Sequence, residues 1–128
     1  MAKTPLNSTA PRLTIVVVVF NSATVIDDCL ASITPGLPII VVDNGSTDAT
    51  VEHVRRVRPD AQIIENGLNL GYGIANNVGL AHVDTEFGMI LNPDAIVIDS
   101  TSLSIEEVVT QIVTLLKKEI GTGVFQQN

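Results

Sequence analysis

Four short apolar segments rich in Val and Ile alternate along the chain with segments in which apolar residues recur every three or four positions. The first pattern is typical of strands covered on both faces, and the second of amphipathic helices. Their alternation predicts an α/β fold of three layers, with a mostly parallel sheet and helices on both faces. The predicted strands are Leu13 to Phe20, Pro38 to Val42, Ala61 to Glu65 and Phe87 to Leu91.

Each predicted strand is followed by a predicted helix, and capping and breaking residues mark the helix boundaries. Asn21 and Ser22 are expected to cap the first helix, and Gly45 and Ser46 are expected to start the second. Ser104 to Glu107 has the Ser-x-x-Glu form of a capping box and opens the last helix. The third helix is predicted from about Ile74 to His82. The apolar positions of the other helices are Val25, Ile26, Cys29, Leu30 and Ile33; Val51, Val54 and Val57; and Val108, Ile112, Leu115 and Leu116.

Three segments fall outside this alternation. Residues 1–12 are rich in Pro, Ser, Thr and Asn and lack the apolar region of a secretory signal, so a disordered leader is predicted. Ala95 to Ile98 is a candidate for a short continuation of the fourth strand, and Gly121 to Asn128 for either an edge strand or a frayed end. Residues 13–128 are predicted to form one domain, because a chain of 128 residues has enough apolar surface for one core but not two.

Composition and charge exclude several classes of function. The 7 basic and 14 acidic side chains give a formal net charge of −7, and 3% of residues are aromatic, so no nucleic-acid partner is expected. The longest apolar run is about a third of the length that crosses a bilayer, so no membrane span is predicted. Cys29 is the only cysteine, which excludes an internal disulfide and predicts a cytoplasmic location, including the membrane surface. Its place on an apolar helix stripe indicates a buried structural thiol.

The polar residues with the most chemical information follow the predicted strands, where open α/β sheets bind their ligands. Turn formation and capping explain any one of these loops taken alone. Asp43 needs more, because a carboxylate directly after a buried strand is placed to accept hydrogen bonds from a base or ribose. Asn92-Pro93-Asp94 places a second carboxylate just beyond the fourth strand, which is also expected to be buried. Such oxygen ligands suit Mg²⁺ or Mn²⁺ together with the phosphates of a ligand.

Other motifs are weaker. Gly71 to Asn76 begins like a dinucleotide-binding fingerprint, but Asn76 replaces the third glycine and the motif follows the third strand rather than the first. His53 and His82 have no Cys or acidic neighbours at ligand spacing, which favours surface histidines over metal ligands. No P-loop and no Ser-His-Asp or Cys-His arrangement is found in the sequence.

Taken together and in order, four segments closely resemble the nucleotide-sugar half of family 2 glycosyltransferases, in particular the rhamnosyltransferase-like branch. The resemblance covers about residues 13 to 98. The four segments are Thr14 to Ser22, Val41 to Asp48, Asn69 to Gly79 and Leu91 to Ala95. Four motifs in the right sequence and spacing are much more specific than any one of them.

This resemblance implies a GT-A fold, which is Rossmann-like, with strand order 3-2-1-4. It also implies a site that binds a nucleoside-diphosphate sugar with Mg²⁺ or Mn²⁺. Asp94 matches the second acid of the family's Asp-x-Asp metal motif, whereas Asn92 departs from the first acid. The nucleotide-binding positions that the resemblance implies are Phe20, Asn21, Asp43, Asn69, Gly71, Asn76 and Asn92.

The family's reaction is a single inverting displacement, in which an acceptor hydroxyl attacks the anomeric carbon and a metal stabilises the departing nucleoside diphosphate. The general base and the acceptor pocket, for a glycan or lipid-linked acceptor, come in this family from a further half, so the domain is expected to be truncated before it. The catalytic residues therefore stay unknown. Two hypotheses remain: a glycosyltransferase represented by its donor-binding part, or a non-catalytic binding module that keeps the scaffold. Self-association through an exposed sheet edge is expected in either case.

Overall fold

The computed structural model describes residues 10–98, 100 and 102–120. Most of the predicted leader and the predicted tail, Gly121 to Asn128, lie outside these residues. Contacts divide the chain into two compact units, residues 1–97 and 98–128, and each is described here by itself. The prediction that residues 13–128 form a single domain stays a prediction.

The first unit alternates strands and helices as the sequence pattern predicts. Its elements are β1 (Leu13–Val19), α1 (Ile26–Ala31), β2 (Ile39–Asp43), α2 (Thr50–Val57), β3 (Gln62–Glu65), α3 (Tyr72–Leu80) and β4 (Phe87–Ile90). The second unit contains α4 (Ile105–Ile120). At its start the Ser104 hydroxyl accepts a hydrogen bond from Glu107 N at 3.1 Å, and the Glu107 carboxylate accepts one from Ser104 N at 3.2 Å. The predicted capping box is therefore confirmed.

The sheet has the order β3-β2-β1-β4, and all its strand pairs are parallel. In the register, Val17 of β1 pairs with Val41 of β2, and Ile15 of β1 pairs with Met89 of β4. The order confirms the predicted GT-A arrangement. The chain runs outward from β1 to β2 and β3, and then crosses back through α3 to β4 on the other side of β1. The carboxyl end of β1 is therefore the point at which the strand order reverses.

Two apolar cores cover the two faces of the sheet, as expected for strands that are apolar at every position. On one face, Val17 and Val41 pack with Cys29 of α1 and Val54 of α2. On the other face, Val16 and Val42 pack with Ala75 of α3. A Cβ at Gly79 would lie 2.5 Å from Val16 Cγ1, so α3 approaches the sheet at a distance that only glycine allows.

Three local expectations were wrong. Neither Asn21 nor Ser22 caps α1, which begins at Ile26 without a side-chain cap, and α2 begins at Thr50 rather than at Gly45 and Ser46. Residues 95–98 do not form a strand. For Asn21 and Ser22 the reason is tertiary, because the Asn21 side chain accepts from Thr47 N and Ser22 N donates to the Thr50 hydroxyl. In residues 95–98, Val97 N donates to the Ser32 hydroxyl at the end of α1 rather than to a strand.

The fourth strand is exposed, although it was predicted to be buried. Phe87 keeps 53% of its surface exposed, Met89 38% and Ile90 43%. β4 pairs with β1 alone, and the helices of this unit make most of their sheet contacts elsewhere, so apolar sequence did not guarantee burial here. None of the described helices is long and apolar enough to cross a membrane.

Candidate functional site

A cleft of about 240 Å³ opens at the carboxyl ends of β1 and β2, beside the start of α3. Its walls include two aromatic rings, Phe20 at 47% and Tyr72 at 53% exposure. Exposed aromatic surface that is grouped in a cleft is typical of a ligand-binding site. The lining residues are Val18, Phe20, Ser22, Asn44, Asn69, Tyr72 and Pro93. Within this lining there is no Lys or Arg, so the described walls offer aromatic faces, hydroxyls and amides rather than positive charge.

Asn44 organises the cleft, although it was not among the predicted site residues. It is 3% exposed, and its Nδ2 donates to Asn69 Oδ1 at 2.9 Å while its Oδ1 accepts from Leu70 N at 3.0 Å and from Asn66 Nδ2 at 3.2 Å. One buried amide therefore holds the whole loop from residue 66 to 71. The available signal was an amide next to Asp43, directly after a buried strand.

Gly45 allows the two loops to approach each other. It has a φ of 88°, and a Cβ there would lie 2.8 Å from the backbone Cα of Leu68. A side chain would push the loops apart, because both the space and the backbone conformation favour glycine. The backbone contact and the Asn44 hydrogen bonds fix the same loop from two sides.

Asn21 lies at the end of β1 with a φ of 48°, in the left-handed region that Asn tolerates better than most residues. Its Oδ1 accepts from Thr47 N at 2.8 Å and from Asp48 N at 3.3 Å, and its own N donates to the Ser46 hydroxyl at 2.8 Å. Its side-chain oxygen is thus occupied in holding the β2–α2 loop, and Asn21 is not among the lining residues of the cleft.

Asp43 and Asp48 occupy the same loop in different environments. Asp43 is 4% exposed, and its Oδ1 accepts from Ser46 N at 3.4 Å. Asp48 is exposed and accepts a short hydrogen bond from the Thr50 hydroxyl, which lowers the pKa of its carboxyl. The same hydroxyl accepts from Ser22 N at 2.8 Å, so Asp48 and Thr50 join the ends of β1 and β2.

The turn Asn92-Pro93-Asp94 follows β4 and lies between α1 and α3. The Cys29 thiol donates to Asn92 O at 3.5 Å, and the Tyr72 hydroxyl donates to Asn92 Oδ1 at 2.7 Å. Burial, together with the nearby Asp94 charge, raises the pKa of Cys29 to about 11. The thiol is therefore protonated at neutral pH, which confirms Cys29 as a buried structural residue.

The loop before α3 and the first turns of that helix hold the remaining predicted residues. Gly71 has a φ of 86°, precedes α3, and donates its N–H to Asn69 Oδ1 at 2.8 Å. Asn76, one turn beyond Tyr72, is 6% exposed, and its Oδ1 has no hydrogen-bond partner among the described residues. Tyr72 was not predicted, because nothing in the sequence shows that its hydroxyl reaches the turn after β4.

The predicted site residues fall into three groups. Phe20 and Asn69 line the cleft. Asn92 and Asp94 lie on the turn whose Pro93 also lines it. Asn21, Asp43, Gly71 and Asn76 lie in the elements that support the cleft, outside its lining.

Metal binding would depend on Asp94 with water and substrate. The described residues contain no group of three or more His, Cys, Asp or Glu that could hold an ion by themselves. Mg²⁺ and Mn²⁺ sites in phosphate-binding proteins often use one or two carboxylates and leave the other positions to water and phosphate oxygens. The exposed Asp94 carboxylate next to the cleft fits a site of that kind.

Comparison with known proteins assigns the family. The model of glycosyl transferase family 2 matches residues 14–112, which is most of the chain. The chain belongs to this family. Among the relatives of this family 2 member is an uncharacterized glycosyltransferase of Haemophilus influenzae, which is 30% identical over 109 residues, 80% of this chain and 33% of the relative.

Solved glycosyltransferase structures share the fold. A structure of residues 1–349 of Staphylococcus aureus TarS superposes with a TM-score of 0.63 at 22% identity, covering 81% of this chain and 33% of that 1–349 chain. The mannosyltransferase PcManGT of Pyrobaculum calidifontis, in complex with GDP-Man and Mn²⁺, superposes with a TM-score of 0.61 at 32% identity, covering 67% of this chain and 28% of that protein. This family 2 chain thus spans about a third of the length of such relatives.

We expect Asn44→Ala to lower the free energy of unfolding by about 1–3 kcal/mol, because it leaves the groups that Asn44 bonds without their partner. Hydrogen exchange should also accelerate in residues 66–71. Urea unfolding and exchange measured by mass spectrometry check both effects. Asn77→Ala, an exposed amide on α3, is the matched control and should change neither by as much. Unchanged exchange in the loop of Asn44→Ala would contradict the role given to this amide.

Proposed function

We propose that the chain binds the nucleoside diphosphate of a sugar donor in the cleft at the carboxyl ends of β1 and β2. The observation that carries this proposal is the cleft itself, where two exposed aromatic rings and a fixed loop meet at the reversal of strand order in a family 2 glycosyltransferase sheet. The GDP-Man complex of the PcManGT neighbour supports a donor of this class.

The base of the nucleotide is assigned to the aromatic walls. Phe20 and Tyr72 line the cleft and are about half exposed, and a base stacked on such a ring would remove apolar surface from water. Asp43 keeps its predicted role as acceptor for the base or ribose, and with 4% exposure it can offer no more than one edge. Asn21, Asn69, Gly71 and Asn76 act by shaping the loops around the nucleotide.

A divalent cation, Mn²⁺ or Mg²⁺, is assigned to Asp94. A diphosphate carries negative charge, and the described cleft lining contains no Lys or Arg to balance it. When bound, the cation would supply charge neutralisation for the leaving diphosphate. Asp94 would hold the cation, while the amides near the cleft orient the phosphates.

The activity of the whole protein is proposed to be inverting transfer of a hexosyl or rhamnosyl unit to a hydroxyl of a glycan or lipid-linked acceptor, in the cytoplasm or at its membrane surface. Asp43 and Asp94 are both committed to the donor in this assignment. We therefore propose that the general base and acceptor pocket come from polypeptide beyond the donor-binding part, as the greater length of the relatives suggests. Without that part, the second candidate is a module that binds the nucleotide and transfers nothing.

We expect the melting temperature of the chain to rise by several degrees when UDP, GDP or dTDP is added in the presence of Mn²⁺. The nucleotide concentration should be about a hundred times its dissociation constant. The shift should be lost in Asp94→Ala, which removes the only carboxylate assigned to the cation. Asp60→Ala is the control, because Asp60 pairs with Arg58 just before β3, at the end of the sheet opposite to the cleft. A folded wild-type chain that none of these nucleotides stabilises would contradict the proposed function.

Self-association through β4 also remains a proposal. β4 leaves Phe87, Met89 and Ile90 exposed and carries no charged residue, whereas the other sheet edge, β3, carries Glu65 paired with Arg55. Uncharged edges invite pairing with another strand. The sedimentation coefficient should therefore rise with concentration, and Met89→Lys should abolish the rise. A constant monomer value over a hundredfold concentration range would contradict it.

A further inference from the structure

We propose that Tyr72 is a positioning residue that orients Asn92 so that its amide N–H groups, rather than its oxygen, face the donor diphosphate. In this assignment Asn92 binds phosphate, and Asp94 alone serves the cation. The inference rests on the proposed function. It deepens that function by giving a different ligand to each polar residue of the turn after β4.

The hydrogen bond between Tyr72 and Asn92 is the starting observation. The hydroxyl of Tyr72, the first residue of α3, donates to Asn92 Oδ1 at 2.7 Å. Tyr72 and Pro93 both line the cleft, so the bond lies at its edge and joins α3 to the turn. Cys29 holds the same turn from the other side through Asn92 O. The backbone and the side chain of Asn92 are therefore both fixed.

The chemistry of the amide gives the direction. A neutral phenol donates one hydrogen, and an Asn side chain has one oxygen acceptor and one nitrogen with two N–H donors. When Oδ1 accepts from Tyr72, Nδ2 points away from Tyr72 and has only donors to offer. An oxygen committed in this way is a poor ligand for a cation, whereas the N–H groups complement a phosphate oxygen.

The charges near the cleft favour the same assignment. Asp94 is exposed on this turn, and Asp43 lies at the end of β2. A further carboxylate at position 92 would repel a diphosphate in the absence of a cation, and no Lys or Arg of the described lining would offset it. A neutral amide donor removes that repulsion and adds a hydrogen bond. Position 92 is thus suited to phosphate with or without metal.

Titration of wild type, Tyr72→Phe and Asn92→Ala with UDP and GDP, each in EDTA and in Mn²⁺ and followed by NMR, tests the inference. Tyr72→Phe keeps the aromatic ring and should weaken binding about fivefold, and Asn92→Ala about tenfold, by the same factor with and without Mn²⁺. The double variant should be no weaker than Asn92→Ala, because the hydroxyl acts only through the amide. Uridine and guanosine, which lack phosphate, should bind all variants equally.

Two further variants sharpen the result. Asn92→Asp should bind nucleotide more weakly than Asn92→Ala in EDTA and regain affinity in Mn²⁺. This is expected if a carboxylate replaces an amide that donates a hydrogen bond to phosphate. Thr110→Val is the control, because the hydroxyl of Thr110 bonds only within α4 in the described structure and its loss should leave nucleotide affinity unchanged.

The outcomes distinguish a failure of this inference from a failure of the proposed function. If the variants lost nucleotide affinity only in the presence of Mn²⁺, Asn92 would be a metal ligand and the inference would be overturned. An unchanged nucleotide affinity of Tyr72→Phe would also overturn it. Equal losses for nucleosides and nucleotides would show that Tyr72 and Asn92 only shape the base pocket, which also overturns it. A wild-type chain that binds neither nucleotide would overturn the proposed function and this inference with it.

Discussion

The buried amide of Asn44 is the constraint on which the rest of the cleft depends. Its position is set by the sheet, because it directly follows β2, which packs with β1 between two apolar cores. A buried amide must find partners, and Asn44 finds them in the loop from residue 66 to 71. The packing of Val and Ile in the sheet thereby determines where Asn69 and Tyr72, two walls of the cleft, are held.

The same physical logic links the other loops. The Asn21 side chain, just after β1, accepts from the backbone N–H groups of Thr47 and Asp48. In return the Thr50 hydroxyl and the Asp48 carboxylate accept from Ser22 N and Ala23 N, so the two strand ends form one polar network. Most polar groups of these loops are engaged in hydrogen bonds within the network. What it leaves open is a cleft with aromatic rings and amide groups, beside the exposed Asp94 carboxylate. Such a surface is suited to a nucleotide whose phosphate charge is balanced by a cation rather than by basic side chains.

Sequence could predict the strands and their order, because these depend on apolar runs and on four motifs in order. The same patterns indicated the carboxyl ends of the strands, where the candidate cleft lies. Sequence-based prediction failed where a residue's contacts are with residues distant along the chain. Asn21 is of a residue type that often caps helices, but its side chain bonds to Thr47, 26 positions away. Phe87 and Met89 have the composition of a core strand but lie at a sheet edge. The roles of Asn44 and Tyr72 could not be predicted, because the contacts that define them, to Asn69 and to Asn92, form only in the folded chain.

We propose that the carboxyl ends of β1 and β2, with the turn after β4, form a donor site for a nucleoside diphosphate and one cation. The decisive test is a crystal structure of the chain grown with a nucleoside diphosphate and Mn²⁺, with data collected at the manganese absorption edge. We expect the base between Phe20 and Tyr72 and an anomalous peak between the Asp94 carboxylate and the diphosphate. A nucleotide bound away from this cleft, or a manganese peak with no contact to Asp94, would contradict it.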